Sequence, residues 1–361
     1  MRQTKSREIP SDKSGLRDGL AGIMRVKNDA RFVPACVASC IDALDELVIV
    51  YNDCTDATPE IVEQMRLLHP GKIRVFPYPH HVLSTRLTPE EFDQASRLPE
   101  DDPHLFSTLC NFALAQVTCR FVMLIDPDQL YFSDRIRGWR DVCAGITKTK
   151  WRVAFLPAWA FMLWFSFYRR LSARVGNPCL WMLPAWLVRS VYPHYEAYAL
   201  WRLRRGTACL SMSGVNVFES EGKWSVPFDG VNNHPPYNGT SDHLLYQKSD
   251  QVRFVRRIDR QSVPPAMMEC FLCPYKLMFV GPVWFHLHAN RIACAEAVQR
   301  RLDERPELFE PVRQFARMPV RRMERIMKAE GFPLFERTLF AYVHHVGRHV
   351  WDKYVGLLLK K

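Results

Sequence analysis

Residues 120–128 read RFVMLIDPD, and this stretch decides the fold. Its five consecutive apolar residues, 121–125, are typical of a strand that is buried on both faces, and two acids, Asp126 and Asp128, come after them. Two carboxylates this close together repel each other, and a divalent cation relieves the repulsion. Mg²⁺ and Mn²⁺ suit such oxygen ligands and also take phosphate oxygens. The alternative interpretation is an ordinary polar turn after the strand.

Strand and helix patterns alternate on the N-terminal side of this stretch. The predicted elements are strands at 21–26, 46–51 and 72–78, helices at 32–44 and 105–116, and a further helix opened by Thr58-Pro59-Glu60. Alternation at this spacing is typical of a parallel sheet with crossover helices. Ligands of such sheets bind at the carboxyl ends of the strands, so we expect functional residues just after Val26, Tyr51 and Ile125. Residues 80–104 are expected to form a long loop.

The composition narrows the class of protein. Of the 361 residues, 49 are Lys or Arg and 38 are Asp or Glu, which gives a formal net charge of +11, and 48% are hydrophobic. These proportions exclude a disordered chain, a collagen-like repeat and a disulfide-dense mini-protein. The basic excess indicates an anionic partner, which can be nucleic acid, a membrane surface or a phosphate-bearing ligand. Because no recognised nucleic-acid-binding motif occurs, nucleic acid is not expected as a partner.

The cysteines and the apolar runs bear on the compartment. The 11 cysteines are scattered, and Cys270 and Cys273 lack the second CxxC of a four-ligand zinc set, so buried free thiols in a reducing cytosol are favoured. The polar residues 1–18 lack the apolar region of a signal peptide. The most apolar run, 153–168, is shorter than the ~20 residues of a spanning helix and contains Pro157. We therefore expect a cytoplasmic protein without a spanning helix.

Four segments resemble, in order, the nucleotide-sugar glycosyltransferases of the GT-A fold, in particular those of glycosyltransferase family 2. The segments are GIMRVKNDARFVPACVASC (22–40), ELVIVYNDCTDATPEIVEQM (46–65), LFSTLCNFALAQVTCRFVMLIDPDQLYF (105–132) and GTSDHLLYQK (239–248). The resemblance implies an α/β fold with a Rossmann-like, mixed and mostly parallel sheet flanked by helices. It also implies transfer of a sugar from a nucleotide-diphosphate donor, with a UDP-sugar favoured, to a glycan or lipid-linked glycan acceptor. Enzymes of this kind build surface polysaccharide and lipopolysaccharide-type glycans.

The resemblance and the composition together divide the chain into four parts. Residues 1–20 are predicted to form a flexible tail. Residues 21–135 are assigned to the nucleotide-sugar-binding half of a GT-A domain, and residues 136–290 to its acceptor-binding half. Residues 291–361, which have the pattern of Arg-rich helices, are predicted to form a basic helical extension.

The resemblance also implies a metal site. Asp126 and Asp128 would bind Mn²⁺ or Mg²⁺ together with the donor's diphosphate, and Asp128 would be the more direct ligand. Many GT-A enzymes place a late histidine on the metal, and here His286 and His288 lie in WFHLH, where alternate residues of an extended segment share a face. Either histidine is a candidate ligand. The alternative for both is a polar contact to the sheet.

Nucleotide-sugar contacts are implied for residues after the first two strands and in the motif helix. The candidates are Arg25, Lys27, Asn28, Asn52, Asp53, Asp56, Asn111, Asp126 and Gly214. The family commonly has two acids where this chain has Tyr51 and Asn52, so either Asn52 or Asp53 is expected to meet the base. Solvated surface charge is the alternative for the two basic residues, and helix capping for the acids at 53 and 56. Gly214 would let the backbone approach the donor sugar closely, with an ordinary turn as the alternative.

Inverting sugar transfer requires a carboxylate that takes the proton of the acceptor hydroxyl. Asp242, in GTSDH, matches the family's base position, although Ser241 stands where the family usually has Glu. Asp229, in PFDG, is the competing candidate. The alternative role of Asp242 is to cap a helix over the following HLLYQ. With Asp242 as the base, the reaction is expected to invert the anomeric configuration.

Two basic segments bear on membrane binding. The stretch 335–358 has apolar residues at helical spacing with basic residues between them, which is typical either of an interfacial helix or of a helix packed on the domain. The stretch 151–205 holds six of the ten Trp and eight Arg against one acid. Trp and Arg favour membrane interfaces, so we expect a peripheral position on the anionic cytoplasmic face of a membrane.

Other classes of protein remain as alternatives. A nucleotidyltransferase on a related fold would carry a Gly-rich, Lys/Arg-bearing phosphate loop after the first strand, which GIMRVKND lacks. A basic nucleic-acid- or membrane-binding protein is suggested by charge alone. An inactive scaffold with this fold is disfavoured because the Asp126-Pro127-Asp128 motif is intact.

Overall fold

The computed structural model describes residues 15–83, 87–148, 151–260 and 266–358. Its strands are β1 Arg17–Val26, β2 Glu46–Tyr51, β3 Ile73–Pro77, β4 Cys119–Ile125, β5 Gln129–Tyr131, β6 Ala208–Asn216, β7 Phe218–Ser220, β8 Lys223–Pro227, β9 Tyr237–Gln247, β10 Arg253–Asp259, β11 Ala266–Leu272, β12 Lys276–His286 and β13 Phe309–Pro311. Its α-helices are α1 Val33–Cys40, α2 Thr58–Leu68, α3 Pro89–Arg97, α4 Phe106–Gln116, α5 Ser133–Cys143, α6 Trp151–Val175, α7 Ala185–Arg204, α8 Ile292–Glu304, α9 Val312–Arg317, α10 Val320–Ala329 and α11 Leu334–Trp351.

The central sheet has the strand order β3-β2-β1-β4-β9-β6-β12-β5. Strands β1 to β4 are parallel, β9 is antiparallel to both of its neighbours, β6 and β12 are parallel, and β5 is antiparallel to β12. The predicted α/β class, with a mixed and mostly parallel sheet flanked by helices, is confirmed. The carboxyl ends of β1, β2, β4, β6 and β12 meet at one edge of the sheet, which we call the carboxyl edge.

Packing on both faces of the sheet explains why β4 is uniformly apolar. Phe121, Met123 and Ile125 belong to one buried apolar cluster, and Val122 and Leu124 belong to a second cluster. Successive side chains of a strand point to opposite faces, so alternate residues of β4 supply the two clusters. The backbone at the end of β4 is therefore fixed by packing from both sides.

The C-terminal helix packs on the sheet. Helix α11 contacts β9, β12, α7 and α10, and its Val343 and Val346 are buried. His344 is also buried, with Nδ1 2.8 Å from the Tyr237 hydroxyl and Nε2 2.8 Å from the Met318 carbonyl oxygen. Most of the apolar stripe of this helix is buried, although Phe335 is 71% exposed, so of the two alternatives left open for this helix the structure supports packing on the domain.

Two predictions for the N-terminal half assigned irregular structure to residues that belong to a strand or a helix. Strand β1 begins at Arg17 rather than Ala21, so residues 17–20 of the predicted tail belong to the sheet. Within the predicted loop 80–104, α3 begins after Thr88, whose side chain forms a capping box with Glu91. The helix is short and strongly polar, which makes its pattern resemble that of a loop.

Two segments of the second half are strands where the sequence predicted other structure. Residues 213–216 end β6 rather than form a turn, and residues 242–247, predicted as a capped helix, lie in β9. Strand β9 lies between β4 and β6, and the side chains of residues 243–246 are buried whichever face they occupy. A strand buried on both faces lacks the alternation of polar and apolar residues that normally identifies one.

The Trp- and Arg-rich stretch forms a helical hairpin of α6 and α7. Phe155 contacts Tyr198, Phe161 contacts Tyr192, and Phe167 contacts Trp181, which places the two helices side by side and antiparallel. Pro157 lies inside α6 without ending it. In the part of the chain that the structure describes, no helix is long and apolar enough to cross a membrane.

Gly214 is required by packing in the sheet. A Cβ atom built on Gly214 in β6 would lie 2.0 Å from Nε1 of Trp284, a fully buried side chain of the neighbouring strand β12. An indole of the protein therefore lies closely against this glycine, and the predicted approach of a donor sugar to it stays a prediction.

Replacing Gly214 should destabilise the fold. Gly214→Ala is expected to lower the free energy of unfolding by about 1–3 kcal/mol, because the backbone or the indole must shift. The control is Gly138→Ala in α5, where an added Cβ meets nothing within 4 Å; it should raise stability by up to about 1 kcal/mol. Urea unfolding measures both variants, and a Gly214→Ala protein as stable as the wild type would contradict this packing.

Candidate functional site

The candidate site lies at the carboxyl edge. The segments that follow β1, β2, β4, β6 and β12 converge there because these strands run in the same direction. This is the edge at which ligands bind in open α/β sheets. The predicted positions after the first, second and fourth strands are thus neighbours in space.

Asp126 lies between an arginine and a histidine. Its Oδ1 is 3.4 Å from Nη2 of Arg25, and its Oδ2 is 3.2 Å from Nε2 of His243, which comes from β9. The Arg25 guanidinium also pairs with Glu269 of β11 at 2.9 Å. Burial raises the pKa of the Asp126 carboxyl, but His243 and Arg25 outweigh it and hold the pKa well below its usual range. Asp126 is therefore a carboxylate at neutral pH.

Asp128 is buried among three nitrogen-bearing side chains. Its Oδ1 is 3.6 Å from Nε2 of His286, and its Oδ2 is 3.4 Å from Nδ1 of His288 and 2.6 Å from Nε of Arg291. Burial raises the pKa of this carboxyl, but the two histidines and Arg291 together hold the pKa well below its usual range. The ligand atoms of Asp128, His286 and His288 lie within 4.8 Å of one another, so these residues could hold a metal ion.

The orientation of His286 suits a metal ligand. Its Nδ1 lies 2.9 Å from Oδ1 of Asn216, the last residue of β6. If the amide oxygen accepts, Nδ1 carries the proton and the lone pair of Nε2 points toward Asp128. His288 belongs to the 3₁₀ turn that follows β12 rather than to the strand itself. Both histidines lie near Asp128, although His288 lies outside the strand on which a shared face was predicted, and metal binding stays a prediction.

Acidic groups outnumber basic ones at this edge. Arg291 also pairs with Asp29 at 2.8 Å, so Asp29, Asp126, Asp128 and Glu269 share two guanidinium groups, from Arg25 and Arg291. Burial raises the pKa of the Asp29 carboxyl to about 6, despite Arg291. Four carboxylates therefore face two guanidinium groups, and the two carboxylates left over can be balanced by the histidines or by a divalent cation.

The loops after β1 and β2 are joined by polar contacts. The Asn28 side chain accepts a hydrogen bond from the Thr55 amide at 2.7 Å, and Nζ of Lys27 lies 3.2 Å from Asp53. Asn28 and Asp53 both have positive φ values, of 57° and 45°. The predicted nucleotide residues after these two strands therefore form one continuous surface.

The remaining acids of this turn have different partners. Asp53 accepts hydrogen bonds from the Val82 amide and from the side chain of Asn52, both at 3.1 Å. Asp56 accepts from the amide of Thr58, the first residue of α2, at 3.0 Å and from the amide of Ala30 at 3.2 Å. Asp56 thus contacts the backbone just before and at the start of α2, whose N-cap residue, Ala57, has no side-chain cap hydrogen bond, whereas Asp53 links the neighbouring loops.

Two of the predicted donor-binding residues have structural partners, and their contact with a donor stays a prediction. The Asn111 amide donates to the Phe254 carbonyl and accepts from the Phe254 amide, both at 2.8 Å, and so fastens α4 to β10. Gly214 accommodates Trp284, as described above. A sequence motif gives the type of a residue but not the residue that it contacts. The contacts of Asn111 and Gly214 come from strands that are distant in sequence.

The structure describes the side chain of one candidate base, Asp229, but not that of the other, Asp242. The Asp229 carboxylate is fully buried and accepts hydrogen bonds from the amides of Val231 and Asn232, both at 3.1 Å, within its own turn. Asp242 lies in β9, which excludes the predicted helix-capping role, and its side chain lies outside the described residues.

Sequence reasoning missed His243, Asn216, Asp29 and Arg291. His243 is adjacent to the predicted base, and Arg291 comes three residues after His288. A charged or imidazole side chain next to a predicted site residue is the signal that could have indicated them. Their roles depend on long-range pairing of strands, which the sequence pattern did not reveal.

A protein-family model matches the first quarter of the chain. Residues 6–94 match the model of the family described as beta-1,4-N-acetylgalactosaminyltransferase (CgtA). This range includes β1, β2, β3 and the joined loops at the carboxyl edge. No curated protein matches the chain. The family match and the observed sheet confirm the predicted resemblance to GT-A-type glycosyltransferases.

Solved structures give weaker likenesses. TarS 1–349 of S. aureus in complex with UDP-GlcNAc is 19% identical over 34% of this chain and 30% of that chain, with a TM-score of 0.24. Glucosyl-3-phosphoglycerate synthase from Mycobacterium tuberculosis, in complex with Mn²⁺, UDP and glucosyl-3-phosphoglycerate, is 17% identical over 31% and 34%, with a TM-score of 0.20. A longer alignment with TarS 1–349 covers 95% of this chain and 75% of that one at 12% identity, with a TM-score of 0.31. The aligned part thus spans about a third of the first two proteins.

Proposed function

We propose that the protein is a metal-dependent glycosyltransferase that moves a sugar from a nucleotide-diphosphate donor, with UDP favoured, to a glycan or glycolipid acceptor. The observation that carries the proposal is the convergence of Asp126, Asp128, His286 and His288 at the carboxyl edge, beside the joined loops after β1 and β2. The family match over residues 6–94 supports the same class of reaction. Synthesis of surface polysaccharide or lipopolysaccharide-type glycans is the process that fits such acceptors.

The residues present fit a divalent cation. Asp128, His286 and His288 would hold Mn²⁺ or Mg²⁺, with Asp126 beside them, and four carboxylates facing two guanidinium groups favour added positive charge. When bound, the ion supplies positive charge to the diphosphate leaving group. Arg291 holds Asp128 in place, and its guanidinium is also suited to bind phosphate oxygens in the donor complex.

The loops that follow β1 and β2 are the proposed binding site of the nucleoside. Asn52 and Asp53 offer hydrogen-bond donors and acceptors to a pyrimidine edge, and Lys27 is held near them by its contact with Asp53. The contact between Asn28 and Thr55 fixes the spacing of the two loops before the donor arrives. Such preorganisation lowers the entropy lost on binding.

Asp242 is the proposed general base. It immediately precedes His243, whose imidazole contacts Asp126, so its backbone lies one residue from the proposed metal and diphosphate site. A carboxylate here would take the proton of the acceptor hydroxyl as that oxygen attacks the anomeric carbon, which gives inversion. Asp229 is less suited to this role, because its own turn already uses its oxygens.

Release of UDP from a panel of UDP-sugars tests the proposed reaction. Activity should require Mn²⁺ or Mg²⁺ and be abolished by EDTA. Asp128→Ala should lower kcat/KM by at least about 100-fold, since it removes charge stabilisation of the leaving group. Asp242→Asn should remove transfer but retain UDP binding. Asp250→Ala, at an exposed turn position, is the control and should behave as the wild type. Full activity of the double variant Asp126→Ala/Asp128→Ala would contradict the proposal.

We also propose that the α6–α7 hairpin binds the anionic cytoplasmic face of a membrane. On α6, Phe155, Leu156, Trp159, Leu163 and Phe167 are exposed and recur at about one helical turn. Their spacing forms an apolar stripe on the outer side of the helix. The exposed arginines of the hairpin are Arg169, Arg170, Arg174 and Arg189, and no acid lies between residues 151 and 195. Apolar area together with unopposed positive charge fits an anionic lipid surface.

Binding to lipid vesicles tests the hairpin. The variant Leu156→Glu/Leu163→Glu should bind vesicles of phosphatidylglycerol and phosphatidylcholine at least about tenfold more weakly, since burial of one leucine is worth about 1.5–3 kcal/mol. Leu67→Glu in α2 is the matched control, because Leu67 is 64% exposed and Leu156 is 69% exposed. Co-sedimentation measures all three proteins. Equal binding by the double variant and the control would contradict a role of the hairpin.

A further inference from the structure

A second group of metal-ligand side chains lies beside Asp128. The ligand atoms of His234, His288 and Cys294 lie within 4.8 Å of one another. The three residues come from separate segments: the turn after β8, the 3₁₀ turn after β12 and the first turn of α8. Their soft sulfur and borderline nitrogen atoms differ from the carboxylate-rich set that includes Asp128. The proposed reaction makes no use of His234 or Cys294.

Within the described part of the chain, both ring nitrogens of His234 lack a partner within hydrogen-bond geometry, although the backbone of Asn232 lies near the ring. The His234 side chain is 5% exposed. Its ring stacks on that of His288 with centroids 5.7 Å apart. A buried imidazole left unpaired is costly, and a bound cation would satisfy it.

The geometry points to zinc: we propose that His234, His288 and Cys294 form a Zn²⁺ site with a fourth position for water. Sγ of Cys294 lies 3.7 Å from Nε2 of His288. Zinc binds nitrogen at about 2.0–2.1 Å and sulfur at about 2.3 Å, so these two atoms should lie roughly 3.6 Å apart around a tetrahedral ion. Thiolate and imidazole ligands select zinc over Mg²⁺ and Mn²⁺.

His288 belongs to both sets through different nitrogens. Nδ1 faces Asp128 at 3.4 Å, and Nε2 faces Cys294. A neutral imidazole has one lone pair, so His288 can bind a metal through one nitrogen while the other carries the proton. Zinc on Nε2 therefore withdraws His288 from the carboxylate set and places a second positive charge beside it. Zinc should weaken Mn²⁺ binding at Asp128. This antagonism rests on the proposed metal site, whereas the zinc site itself does not.

Metal binding to the purified full chain tests the zinc site. Co²⁺, as a spectroscopic substitute, should give a sulfur-to-cobalt charge-transfer band, and a competing chelator gives the zinc affinity. Loss of a residue behind a metal ligand costs about 10–100-fold in affinity, so Cys294→Ser and His234→Ala should each weaken zinc binding by at least about 100-fold. Cys179→Ser, in the connection between α6 and α7, is the matched control and should leave both signals unchanged. Wild-type zinc affinity in Cys294→Ser and His234→Ala would overturn the proposal.

Electron paramagnetic resonance of Mn²⁺ separates the two sites. Asp128→Asn should lose Mn²⁺ binding and keep the zinc affinity, which shows the zinc site independently of the proposed reaction. One equivalent of Zn²⁺ should release bound Mn²⁺ from the wild type but not from Cys294→Ser. Undiminished Mn²⁺ binding in the zinc-loaded wild type would overturn the antagonism. If Asp128→Asn keeps Mn²⁺ while Cys294→Ser loses zinc, the zinc site stands and the proposed catalytic metal site fails.

Discussion

The site depends on one electrostatic constraint: Asp126 and Asp128 follow closely on the end of a buried strand. Apolar clusters pack against both faces of β4, which fixes the backbone from which the two carboxylates follow. Their repulsion has to be offset by neighbouring cations or hydrogen bonds. The convergence of Arg25, His243 and Arg291 on these acids, each from a different segment, is the response of the fold to this constraint.

The two arginines do not balance all of the carboxylates at the carboxyl edge, and the carboxylates that remain are suited to bind a cation. Four carboxylates share two arginines at the carboxyl edge, although the whole chain carries a net charge of +11. The basic excess therefore lies away from the site, and the α6–α7 hairpin holds part of it. A local negative charge suits a divalent cation, and the cation in turn suits a diphosphate. His286 and His288 lie where they can complete that site. Helix α11 packs on the sheet, whereas the α6–α7 hairpin exposes an apolar surface that is proposed to bind a membrane.

Local patterns predicted the first half of the sheet well. Strands β2 and β4 and helices α2 and α4 fall where their apolar periodicity and helix-start signals indicate, and His286 and His288 both lie near Asp128, although His288 is in a turn and not on a shared strand face. The sequence-based predictions were less successful for residues whose contacts come from segments distant in sequence. Residues 243–247 of β9 had a capped helix as an alternative because burial on both faces hides the period of the strand, and the contact of Asn111 with Phe254 of β10 was not visible in the sequence.

The central claim is that a divalent cation occupies the carboxyl edge beside the nucleotide diphosphate. Anomalous diffraction above the manganese edge, from crystals soaked with Mn²⁺ and UDP, tests this claim most directly. We predict one strong peak within bonding distance of Asp128 and of His286 or His288, with diphosphate oxygens on its open side. Bound UDP with no manganese at Asp128, or manganese held elsewhere, would contradict it.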